Sequence, residues 1–125
     1  MKPNAPPSGS LEGRIALVTG AAHRLGRSLA LAFADAGAHV IIHYHTSQNA
    51  AESLVAAIEA KGQRGLSVSA NLADAAQAET ALREAIETMG GLDILVNNVG
   101  TIVWKSLQDH SPEDWAACLG GTLFT

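Results

Sequence analysis

One cysteine and one tyrosine, Cys118 and Tyr44, stand in the 125 residues. A lone cysteine closes no internal disulfide and has no partner at metal-ligand spacing, which points to a reducing compartment. No apolar run approaches the roughly 18 residues of a membrane span. Met1–Ser10 carries three prolines and none of the apolar core that a signal peptide needs. A cytoplasmic protein with a flexible leader over residues 1–12 is expected. A basic excess is missing too: eight Lys and Arg against twelve Asp and Glu leave a net charge of −4. General binding of nucleic acid or of an anionic membrane is therefore not expected. Long linkers and internal repeats are also lacking.

What is present is a chain that is 47% hydrophobic, enough for one core. Its apolar residues fall in short runs that alternate with helical spacings. The run Ile15-Ala16-Leu17-Val18 leads into Thr19-Gly20-Ala21-Ala22-His23-Arg24-Leu25-Gly26 and then into a helical pattern. This context turns a glycine spacing into a nucleotide site: a buried strand, a turn that Gly20 lets bend, and a close approach allowed by Gly26. Free N–H groups at the helix N-terminus are then expected to face an anion. His23, Arg24 and Arg27 cluster at the same place, a local positive charge inside an acidic chain. In the helix, Leu25, Leu29 and Phe33 predict an apolar stripe on the sheet, with Ala32 and Ala36 beside it. The same turn could also carry its glycines for packing alone.

Further along, Ala38–Ile42 reads as a strand, residues 47–61 as a helix stopped by Gly62, and Gly65–Ser69 as a strand. A helix through Ala78, Leu82, Ala85, Ile86 and Met89 closes at Gly90-Gly91, and Leu92–Val96 is a fourth, apolar strand. Ser111-Pro112-Glu113-Asp114 marks another helix start. Such alternation predicts an α/β, Rossmann-type doubly wound parallel sheet of about four strands, with helices on both faces. His43 and His45 alternate on a strand, but no Cys, Asp or Glu lies near to complete a metal set, so no metal is expected. His43 reads as a strand-end residue.

Two motifs in order, Thr19-Gly20 through Gly26 and Asn97-Asn98-Val99-Gly100, resemble the short-chain dehydrogenases/reductases. The resemblance runs from Gly13 to the end and implies strand order 3-2-1-4. It makes residues 13–125 a partial cofactor-binding domain, without the later catalytic half. Arg24 stands where a glycine is usual. With Arg24-Leu25-Gly26-Arg27-Ser28 and His43-Tyr44-His45-Thr46-Ser47, it resembles the pteridine-reductase-like branch. An arginine beside the ribose can fork onto a 2′-phosphate. An NAD-selective site would put an acid at the end of the second strand, where this chain has none. NADP(H) is therefore expected over NAD(H), although Thr46 replaces a further arginine common in the resembling sequences.

By the same resemblance the cofactor site consists of Gly20, His23, Arg24, Leu25, Gly26, Tyr44, His45, Ser47, Asn71, Leu72, Asn98, Val99 and Gly100. Asn71 takes the place of the acid usual beside adenine. It could accept from the adenine amino group or simply open the next helix. Asn97 is expected to tie neighbouring strands. The family's Tyr-x-x-x-Lys has no counterpart, since Gln48 follows Tyr44 at four residues, so no catalytic residue is assigned. Thr122 falls where the resemblance places a water-ordering Asn, and reads equally as an ordinary helix position. The expected function is the cofactor-binding half of a reductase of carbonyl or pterin C=N groups. Its parent would take a small-molecule substrate and form family-like homo-oligomers through helices incomplete here. A non-catalytic nucleotide-binding or interaction module is the alternative, and the missing acid also disfavours a methyltransferase-type domain.

Overall fold

Strand β1 (Ile15–Val18) and strand β2 (His39–Tyr44) pair in parallel, Ile15 opposite His39 and Val18 opposite Ile42. Both are buried on two faces, which a strand survives only inside a sheet covered by helices. The computed structural model describes residues 10–99, 108 and 111–113. Between the strands run α1 (Arg24–Asp35), α2 (Gln48–Ala60) and α3 (Ala75–Met89). Strand β3 (Gly65–Ser69) and strand β4 (Ile94–Val96) flank the central pair in the order β3-β2-β1-β4, as the family resemblance implied.

The period of two along each strand separates the core into two layers. Val18, Val40 and Ile42 meet Ala30 and Ala34 of α1 and Ala51, Leu54 and Ile58 of α2 on one face. Leu17 and Ile41 meet Ala85 and Met89 of α3 on the other. A smaller cluster of Ala70, Leu72 and Ala78 sits where β3 passes into α3. There Asp74 caps the helix by accepting from the Gln77 N–H at 3.2 Å.

Two strands differ in extent from the pattern. β2 continues through His43 and Tyr44, because Val68 and Ser69 of β3 pair with them and the polar ring of His43 finds partners. β4 begins only at Ile94, because Asp93 bonds to Ile15 twice ahead of it. Its N–H donates to the Ile15 carbonyl at 2.8 Å, and its carboxylate accepts from the Ile15 N–H at 2.9 Å. Of the expected leader, residues 1–9 lie outside the described part, and the Leu11 N–H donates to the Ala36 carbonyl at 2.8 Å. Pro112 and Glu113 are helical, in line with a helix start at Ser111. Among the described residues no helix is long and apolar enough to cross a membrane.

The stripe that α1 presents to the sheet is not the leucine row. Gly26, Ala30 and Ala34 are buried, while Leu25 is 63% exposed and Ala32 is exposed. Small side chains at every fourth position bring the helix close to β1 and β2, and the larger Leu31 and Phe33 fill its flanks. Ala30→Leu should therefore overpack this contact and cost about 1–3 kcal/mol. Leu25→Ala should stay within about 0.5 kcal/mol. Denaturant melts of both variants check the assignment, and the reverse order would restore the leucine stripe.

Candidate nucleotide site

The carboxyl ends of β1, β2 and β4 converge on the turn after β1, and hydrogen bonds from the neighbouring strands hold it. The Thr19 N–H and hydroxyl donate to the Val96 carbonyl at 3.1 and 3.3 Å, and the Asn98 N–H donates back to Thr19 Oγ1 at 2.8 Å. Asn98 Nδ2 donates to the Gly20 carbonyl at 3.3 Å. From the other side, the Gly20 N–H donates to His43 Nδ1 at 3.1 Å and the Ala21 N–H to the His43 carbonyl at 2.9 Å. The strand-tying role expected of Asn97 thus falls to Asn98, while Asn97 is exposed.

Gly20 takes φ +59°, a region that side chains avoid. A Cβ on Gly26 would lie 2.4 Å from the Gly20 carbonyl oxygen and 2.6 Å from Asn98 Nδ2. Gly26 is therefore required by the turn's own backbone and by Asn98, before any ligand enters. Gly20 and Ala21, which precede the helix, give their N–H groups to His43, so the turn's anion-facing donors are confined to the helix N-terminus. Those of Arg24, Leu25 and Gly26 remain, because a first helical turn has no intrahelical acceptor and His23 supplies no capping bond.

His23, Arg24 and Leu25 are exposed at the mouth of this turn. Arg24 adopts φ +52°, which explains why related patterns put glycine there and costs a side-chain-bearing residue roughly 1–2 kcal/mol. Arg27 does not join the cluster. Its guanidinium donates to the Ala50 carbonyl at 3.3 Å and reaches Ser53 Oγ at 3.5 Å, tying α1 to α2.

An open cleft of ≈ 430 Å³ lies beside the turn, lined by His23, Thr46, Ser47, Gln48, Asn49 and Ala50. It sits between the N-termini of α1 and α2, the positive ends of two helix dipoles, with no acidic residue in either first turn. Ser47 and His23, both read from sequence as cofactor contacts, come together here. Thr46 also lines the cleft, with Gln48, Asn49 and Ala50, which the motif reading did not include. The signal for these was the helix start after Ser47, read as structure and not as an anion site. Tyr44 is half-buried against the core, and His45 is exposed, its carbonyl accepting from Ser69 Oγ at 3.1 Å.

At the end of β3, Asn71 Oδ1 accepts from the Ala73 N–H at 3.1 Å, so its side chain closes a local turn ahead of α3. Leu72 is buried in the third core cluster, against which Val99 packs. Gly100 and Thr122 lie outside the described residues. His43, read from sequence as a strand-end residue, is buried with both ring nitrogens occupied. Nδ1 accepts from Gly20, so Nε2 carries the proton and donates to the Ala70 carbonyl at 2.8 Å. That leaves neither nitrogen for a metal. A polar residue inside a strand buried on both faces was the signal that it must have partners.

The model for the family described as short chain dehydrogenase matches residues 14–124. The chain is 37% identical over 113 residues to a tetrahydroxynaphthalene reductase of Pyricularia oryzae, covering 90% of this chain and 40% of that protein. It is 39% identical over 100 residues to the 3-oxoacyl-[acyl-carrier-protein] reductase FabG of Staphylococcus aureus, covering 80% and 41%. Among solved structures, a short chain dehydrogenase from Burkholderia cenocepacia in complex with NADP superposes with a TM-score of 0.84 at 40% identity, covering 90% of this chain and 46% of that one. A blue fluorescent protein from a metagenomic library in complex with NADPH gives 0.79 at 33% identity, covering 89% and 46%. The chain thus spans less than half the length of these relatives.

Burial, above all, holds the His43 imidazole below the ordinary histidine range; the charge of nearby His45 adds to this and the bond to Ala70 opposes it. Above the ordinary value of about 6.5 neither state takes up the extra proton. Below it the unfolded chain protonates while the native ring does not, so stability falls as pH drops toward the folded-state value, by up to about 1.4 kcal/mol per pH unit. Urea melts from pH 7.5 to 5.5 should show this loss, and His43→Asn, which cannot protonate, should flatten it.

Proposed function

Because the chain belongs to the short-chain dehydrogenase family, we propose that residues 13–125 are the cofactor-binding part of an NADP(H)-dependent oxidoreductase that reduces a carbonyl group. The observation that carries this reading is the acid-free cleft between two helix N-termini, with His23 on one wall and Thr46–Ala50 on the other. A 2′-phosphate suits such a place: helix dipoles and first-turn N–H groups favour an anion, and no carboxylate competes for the ribose hydroxyl. The N–H groups of Arg24, Leu25 and Gly26 would meet the pyrophosphate. His23, Ser47 and the mobile-length arm of Arg24 would meet the 2′-phosphate, with Tyr44 and His45 beside them. Asn71, Leu72, Asn98, Val99 and Gly100 would border the adenine and ribose. When bound, the nicotinamide supplies the hydride.

The name of the second reductase above refers to a 3-oxoacyl group, which supports a carbonyl substrate for the whole protein. The pterin alternative rests on the words Arg24-Leu25-Gly26-Arg27-Ser28 and His43-Tyr44-His45-Thr46-Ser47. Proton delivery at the substrate oxygen is assigned to no residue of this chain, since Tyr44 lies in β2 and lacks a lysine four positions on.

Calorimetry should show NADPH binding more tightly than NADH, and Arg24→Ala should narrow the gap by about 1.5–3 kcal/mol, the scale of a charged hydrogen bond. Arg24→Gly should narrow it equally while raising stability by about 1 kcal/mol through release of the positive φ. Equal affinities of the unmutated chain for the two cofactors would overturn the selectivity.

Incubated with NADPH and a panel of quinones, diketones and pterins, the chain should show no loss of cofactor absorbance above blank, because it carries no tyrosine–lysine pair. A rate that disappears on Gly20→Asp would contradict this assignment.

A further inference from the structure

We propose that His43 is a positioning residue of the nucleotide site, a neutral imidazole protonated on Nε2 alone that holds the phosphate turn to the end of β3. The proposal rests on the nucleotide reading given above. His43 is 2% exposed and makes three bonds at once. Its Nδ1 accepts from the Gly20 N–H at 3.1 Å, its carbonyl accepts from the Ala21 N–H at 2.9 Å, and its Nε2–H donates to the Ala70 carbonyl at 2.8 Å. The direction of the Gly20 bond decides the tautomer: a ring nitrogen that receives an N–H cannot carry a proton itself.

The consequence reaches two parts of the cofactor, the pyrophosphate and the adenine. By taking the N–H groups of Gly20 and Ala21, one residue fixes the course of the turn and leaves the anion to Arg24, Leu25 and Gly26. By holding Ala70, it sets where the chain enters Asn71 and Leu72, the segment proposed to border adenine. Without the ring, Gly20 would bury an unpaired N–H, and the turn could recover it only by moving. Burial, which keeps the ring neutral, favours the accepting form of Nδ1.

Substitutions can separate the two ring bonds. Asparagine places Oδ1 near the position of Nδ1 and keeps an acceptor for Gly20. Glutamine carries an amide toward Ala70 and leaves Gly20 without its acceptor, and leucine supplies neither. With the full chain, His43→Asn should bind NADPH within about threefold of the unmutated protein, whereas His43→Gln and His43→Leu should weaken it about tenfold. A purely structural residue would lower the melting temperature of all three and leave the dissociation constant of the folded protein unchanged. Equal dissociation constants for the three variants would therefore overturn the proposal. Ring-¹⁵N-labelled histidine in the full chain, observed without cofactor, should show His43 as the neutral Nε2–H form at pH 7. A charged ring or an Nδ1–H form would overturn the proposal while leaving the nucleotide reading intact. Absence of NADPH binding by the unmutated chain would overturn the nucleotide reading and this proposal with it.

Discussion

The hydrogen bonds that close around Thr19 and Gly20 are the constraint on which the rest of the site depends. A turn that leaves the centre of a parallel sheet has neighbours on both sides, and its polar groups are partly buried by them. The end of β4 answers through Val96 and Asn98, and the end of β2 answers through His43. With those groups satisfied, the turn has one course, and the first N–H groups of α1 are presented outward in a fixed direction. Preorganisation of this kind is what lets a backbone recognise an anion without ordering costs at the moment of binding.

Close packing serves the same end. Gly26 brings the start of α1 against the Gly20 carbonyl, and Ala30 and Ala34 continue the approach along the helix. The helix N-terminus is thereby carried to the carboxyl edge of the sheet, next to the start of α2. Arg27 reinforces the arrangement by donating to the Ala50 carbonyl, so that the two dipole ends bordering the cleft keep their spacing. An acidic chain with a net charge of −4 can in this way hold a local site for a phosphate, built more from oriented backbone than from side-chain charge.

Much of this was legible along the chain. Ile15–Val18 followed by Thr19-Gly20 read as a buried strand entering a tight turn, the alternation of short apolar runs with helical spacings implied the parallel sheet, and the family resemblance implied its order. The glycine pair and Asn98 stood out by motif. Arg24 stood out by departing from one, and its positive φ gives the departure a physical cost.

What the sequence alone determined was periodic and local: strand and helix positions, the turn, the missing acid after β2, the missing tyrosine–lysine pair. What only the tertiary structure decided was which groups meet across the sheet. Leu25 matched the apolar stripe but faces solvent, because the approach of α1 is set by its smallest residues. Asn71, open to two readings along the chain, accepts from the Ala73 N–H ahead of α3, and Arg27 matched a phosphate contact but holds α2. His43 looked like a strand end and joins Gly20, 23 residues before it, to Ala70, 27 residues after it. A hydrogen bond between distant residues leaves no period in a sequence, since its geometry exists only once the strands carrying the partners have paired.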